Sequence, residues 1–120
     1  MSAYKWFTYR QNNSGGSFDH FPEDGIGIVV FMEANDRNHA NARAERLGLY
    51  FDGCAKGADC SCCGDRWSEP WDEDGTDQPE LWGEAYRPVA DGEKPAEDWG
   101  IPFYIHPMVS TFTKAVKASP

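Results

Sequence analysis

"IGIVVFME", residues Ile26–Glu33, is a nearly unbroken apolar run rich in β-branched types, and the fold is read outward from it. Such a run bounded by glycine and acids predicts a central strand of the sheet. Upstream, "YKWFTYR" (Tyr4–Arg10) predicts a second strand, with Trp6 and Thr8 on one face and Phe7 and Tyr9 on the other. The segment between them, "QNNSGGSFDHFPEDG", is dense in Asn, Ser, Gly and Pro, so the strands pair antiparallel across a long hairpin. Its Phe18 and Phe21 return part of it to the body.

Downstream lies a helix. Asn35 or Asp36 supplies its cap, Ala40, Ala44 and Leu47 recur at helical spacing, and Gly48 closes the last turn. The alanine stripe suits close packing on a sheet, which leaves Arg37, Arg43 and Arg46 as a solvated face. Beyond the helix the periodicity fades. "DRWSEPWDEDGTDQPELWGE" (Asp65–Glu84) reads as an ordered loop with at most a short helical turn. "EAYRPV" and "IPFYIHPM" read as short strands, the second pushed to an edge by Pro102 and Pro107, and "STFTKAVKASP" reads as a final helical turn. The expected fold class is α+β: a small antiparallel sheet of three to four strands packed by one main helix, with a long cysteine-containing and acidic loop region. One domain is expected over residues 1–120, in four parts: 1–52, 53–67, 68–100 and 101–120.

At 120 residues the chain supports a single modest core, and with 40% hydrophobic but 14% aromatic residues that core is built from a few large rings. No apolar run approaches the roughly 20 residues of a membrane span, and "MSAYKWFTYRQ" lacks the apolar centre of a secretion signal. A soluble cytoplasmic protein is expected. Charge is informative by position. Between Asp65 and Asp98 twelve acids face three bases, a balance equal to the whole net charge of −9. Such a stretch repels phosphates, so direct nucleic-acid binding is not expected; a basic protein surface is the better match.

All four cysteines, Cys54, Cys60, Cys62 and Cys63, fall within "GCAKGADCSCCGDRW". Cys60 to Cys63 with Gly64 is a CxxCG unit, in which two thiolates reach one ion across a tight turn and the glycine supplies a positive φ. Cytoplasmic thiols stay reduced, so structural zinc on Cys54, Cys60, Cys62 and Cys63 is the favoured site. Cys62 is its weakest member, because neighbouring side chains diverge; His20, His39, His106 or Asp59 stands as an alternative fourth ligand. Reduced thiols without metal, or a redox pair at Cys60 and Cys63, are the competing readings, although no helix N-terminus is evident to activate the pair. The chain lacks a P-loop, a dinucleotide fingerprint, an HExxH pair and a serine elbow.

"YRQNNSGGSF", the helix ending "RAERLGLYFDGC", and "DCSCCGDRWSEPW" together resemble a family of small uncharacterised tailed-bacteriophage proteins over about the first two thirds of the chain. The resemblance implies an accessory gene product acting in the cytoplasm of an infected bacterium, and carries no catalytic residue. The expected function is a non-enzymatic binding module that occupies a host protein through Trp67, Trp71, Asp72, Glu73 and Asp74, in host takeover or defence evasion. A small thiol redox protein or enzyme, a DNA mimic and a minor virion component are the alternatives.

Overall fold

The apolar run becomes β2 (Val29–Ala34), paired antiparallel with β1 (Lys5–Arg10) in a register that sets Phe7 opposite Met32 and Tyr9 opposite Val30. The computed structural model describes residues 4–14, 16–59 and 64–118. Side chains along β2 alternate between two cores. Val30, Met32 and Ala34 join Phe7, Tyr9 and Trp67 on the helix side; Val29 and Phe31 join Tyr86, Phe103, Ile105 and Ala115 on the other. Both faces are dry, which is why the run is continuously apolar rather than alternating.

Helix α1 (Arg37–Leu47) starts at Asp36, whose carboxylate accepts the His39 N–H at 2.8 Å, and stops at Gly48, where φ is 126°. Ala40 and Ala44 are fully buried against the sheet, their short side chains allowing close approach. The Tyr9 hydroxyl donates to Asn41 Oδ1 at 2.6 Å and locks the helix across β1.

The remaining chain corrects the expected fold class. In place of a small antiparallel sheet under one main helix, seven strands in the order β1-β2-β6-β7-β4-β3, with β5 on β6, curl into a nearly closed, barrel-like sheet that carries one short helix. The added strands are β3 (Glu80–Leu81), β4 (Glu84–Pro88), β5 (Glu97–Asp98), β6 (Ile101–His106) and β7 (Thr113–Lys117). Expected at an edge, β6 is central instead: it runs parallel to β2 and antiparallel to β5 and β7. The prolines permit this because the β2 ladder starts at Phe103, just after Pro102, and β6 ends before Pro107, so neither missing N–H interrupts it. The segment read as a terminal helical turn forms β7, with Ala115 in the core.

Aromatic rings fill the space between the strands. Phe31, Tyr86 and Phe103, from β2, β4 and β6, meet at centroid separations of 5.1 to 6.4 Å. The two ends of the sheet, β1 and β3, approach along a seam. Trp6 and Thr76 exchange backbone hydrogen bonds of 2.8 and 2.9 Å there, and Thr8 Oγ1 donates to the Glu80 carbonyl at 2.7 Å. Arg43, read as part of a solvated face, is half-buried and donates to the carbonyls of Glu33 and, at 3.1 Å, Pro107, so it ties the ends of β2 and β6 together. Among the described residues no helix is long and apolar enough to cross a membrane.

Candidate functional site

The described residues at the two ends of the cysteine segment join in a collar of hydrogen bonds. Tyr50 OH donates to Asp59 Oδ1 at 2.7 Å, and the Arg66 N–H donates to Asp59 Oδ2 at 2.8 Å. The Arg66 guanidinium, largely buried, donates to Gln11 Oε1 (3.0 Å), the Ser14 carbonyl (2.9 Å) and the Ser17 carbonyl (2.7 Å). One side chain therefore pins both the long β1–β2 connection and the end of the cysteine segment. In sequence Arg66 is only one of the three bases set among the twelve acids of Asp65–Asp98.

Cys54 sits within this collar. Its N–H donates to Asp65 Oδ1 at 2.9 Å, and hydrogen bonds from the Cys54 backbone and thiol hold the Asp65 carboxyl below its usual range. The chain thus folds back so that Cys54 lies beside a residue two past Cys63. Cys60, Cys62 and Cys63 lie outside the described residues. Among the described residues no group of three or more His, Cys, Asp and Glu side chains could hold a metal.

The residues expected to meet a partner separate into two sets. Trp67 is 1% exposed and fills the helix-side core, so its ring is spent on folding. Trp71, Asp72, Glu73 and Asp74 come together at a single 3-10 turn, Asp72–Asp74, held by the Trp71 N–H donating to Asp74 Oδ2 at 2.7 Å. Asp72 Oδ1 accepts the Arg37 N–H at 3.0 Å, which sets a carboxylate against the N-terminus of α1, where the helix dipole favours it. Trp71 remains largely exposed, with the Arg37 guanidinium carbon 5.1 Å from its ring centroid.

From this turn an acidic groove runs along the barrel seam. It encloses about 360 Å³ and is lined by Glu69, Asp74 and Glu80 on its acidic walls, with Arg10, Leu81 and Trp82 among its other residues. Beyond Trp82 a second recess of about 250 Å³ has Leu81, Tyr86 and Phe103 as its apolar lining and Glu84, Glu97 and Asp98 as its carboxylates.

Trp82 and Trp99 belong with Trp67 and Trp71 to the four tryptophans clustered between Asp65 and Trp99, outside the set expected to make the contact, and they are 78% and 76% exposed. Each occupies the first position of a two-residue hairpin turn. Leu81 pairs with Glu84 around Trp82-Gly83, and Asp98 pairs with Ile101 around Trp99-Gly100. All four turn residues have positive φ (52° and 80°, 55° and 72°), the signature of type I′ turns. The signal was present as a doublet, "ELWGE" and "EDWGI", an X-Gly hairpin pattern with tryptophan standing where asparagine or aspartate is usual.

Fold and surface together define a small, acidic, barrel-like β-domain that displays three tryptophans. The chain belongs to the family described as Domain of unknown function (DUF7296), which matches residues 4–115 and so takes in strands from all parts of the sheet. No curated protein and no solved structure matches it.

Proposed function

We propose that the protein is a non-enzymatic binding module that engages a basic protein surface through its acidic, tryptophan-bearing face. It acts in the cytoplasm of an infected bacterium as a phage accessory protein, in host takeover or defence evasion. The observation that carries this reading is the exposure of Trp71, Trp82 and Trp99, 62%, 78% and 76%, within or directly after the Asp65–Asp98 stretch whose balance equals the whole net charge. Exposed rings set among carboxylates match the anchors and steering charges of an interface. Capture from lysate by wild type beside a Trp71→Ala/Trp82→Asn/Trp99→Asn variant, with calorimetry on the recovered partner, tests it. A basic partner lost by the variant, with affinity falling as salt rises, is expected. Equal capture by both proteins, or salt-independent affinity, would refute it.

Zinc on Cys54, Cys60, Cys62 and Cys63 is the structural part of the same proposal. The placement of Cys54 beside Asp65 favours it, since the first thiol returns to the segment that bears the other three. Zinc would fasten the collar rather than react. Native mass spectrometry with elemental analysis is expected to give one zinc per chain, released on thiol modification; a bare polypeptide mass refutes it. A reversible two-electron thiol couple would instead establish the redox alternative.

A further inference from the structure

We infer that the paired Trp-Gly turns form a receptor for arginine side chains of the partner, with the recess between the two hairpins taking a guanidinium. This deepens the proposed function and rests on it. The first observation is conformational. Asp52, Trp82 and Trp99 are the non-glycine residues with positive φ among those described, at 57°, 52° and 55°. Aspartate adopts this region readily; a bulky ring does not. Neither tryptophan recovers the strain by burial, because more than three quarters of each is in solvent. Outliers of this kind mark places where the surroundings hold a side chain out for contact.

The second observation is that the two hairpins lie side by side. Arg10 touches both hairpins: its guanidinium carbon lies 5.0 Å from the Trp82 ring centroid and its Nη2 donates to Asp98 Oδ2 at 3.0 Å. Phe18 packs near Trp99 with a centroid separation of 6.3 Å. The recess of about 250 Å³ is lined by Leu81, Trp82 and Glu84 from one hairpin, by Glu97 and Asp98 from the other, and by Lys117 of β7; Trp99 stands outside that lining, at the turn next to Asp98.

The occupant follows from what the chain itself places on such surfaces. At Trp82 an arginine lies over the ring while bonded to a carboxylate. At Trp71 the arrangement repeats: Arg37 lies over the ring with Glu69 4.0 Å from its guanidinium. Ring and carboxylate together select a planar cation, which stacks on one and hydrogen-bonds in its plane to the other; an ammonium makes the second contact only as a point charge. Glu84 and Glu97 carry exposed partners, Lys117 at 2.9 Å and Lys94 at 3.7 Å, which an incoming arginine can displace at little loss. The stem of that arginine would lie along Tyr86 and Phe103.

The test uses blocked peptides of alternating arginine and glycine, with lysine-glycine and glutamine-glycine peptides and a neutral oligosaccharide as comparisons, titrated at low ionic strength by calorimetry. Trp82→Asn/Trp99→Asn keeps residues that suit the turns, and Trp71→Ala reports on the distal ring. The arginine peptide is expected to bind wild type, to weaken about tenfold with the double variant, and to change about twofold or less with Trp71→Ala. The lysine peptide is expected to bind more weakly. Equal binding to wild type and the double variant would overturn the turn pair as the receptor while leaving the acidic face intact as a partner surface. Lysine or glutamine peptides binding as tightly as the arginine peptide would overturn the choice of occupant, and a wild type indifferent to every peptide, whether or not it binds the oligosaccharide, would overturn both the receptor and the acidic face.

Discussion

Replacing Trp82 by asparagine removes one of the largest side chains in the protein, yet the structure calls for almost no change in stability. The left-handed backbone at Trp82 disfavours a bulky residue by about 1–2 kcal/mol, a strain that asparagine largely relieves. Against this stands the cation–π contact with Arg10, worth about 0.5–1 kcal/mol at an exposed site. With the ring 78% exposed, the covered fifth is about 50 Å², or about 1 kcal/mol. Gain and loss cancel to within about 1 kcal/mol, a shift in melting temperature of about 4 °C or less for a domain of this size. Truncating the buried Trp67 to alanine is a different case and costs about 3–5 kcal/mol. Urea unfolding followed by far-ultraviolet circular dichroism, with equal denaturant slopes, measures both. A loss above about 2 kcal/mol for Trp82→Asn would show that the ring serves folding and would remove the reason for assigning it to contact.

Other consequences follow from single side chains. Arg66→Leu leaves the Asp59 carboxylate, 1% exposed, without its guanidinium neighbour and is expected to cost about 3–5 kcal/mol, with faster amide exchange through the β1–β2 connection; protection unchanged there would contradict the pinning role. Asp36→Ala removes the cap on the His39 N–H and should cost about 1 kcal/mol in the same urea assay, an unchanged midpoint arguing against the cap. His106 is buried with its pKa lowered, chiefly by desolvation, while its Nε2 lies 2.7 Å from the Gly25 carbonyl. The neutral ring is the folded form, so its contribution is full above about pH 6.5 and declines as pH falls, when the unfolded chain takes up the proton first. His106→Gln should flatten that part of the stability profile; an unaltered acid slope would assign the dependence to other groups.

The β1–β2 pair and the helix ends were legible because each depends on local chemistry: an apolar run dry on both faces, an aspartate cap, a closing glycine. The barrel was not. β3 and β5 are two residues each and largely acidic, so hydrophobic period says nothing of them; hairpin turns specify them instead. Pro102 and Pro107 misled because a proline's effect depends on where its missing N–H falls in the ladder, a property of register that composition does not carry. "TKAVK" has one fully buried residue, Ala115, and looks like a helix until β4 and β6 are beside it. The acidic tryptophan face was visible in outline, but burial divided its members: Trp67 went inward and the two hairpin tips outward. Arg66 was invisible as an organiser because its partners lie about fifty residues away in sequence.

The five tryptophans, one in each distinct setting, offer the most direct readout through their indole N–H resonances in a nitrogen–proton correlation spectrum. Titrating the arginine-glycine peptide should move the Trp82 and Trp99 signals together, along one binding curve, while those of Trp6 and the buried Trp67 stay in place. Movement confined to Trp71, or no movement at Trp82 and Trp99 when the peptide binds, would contradict a receptor built from the paired turns.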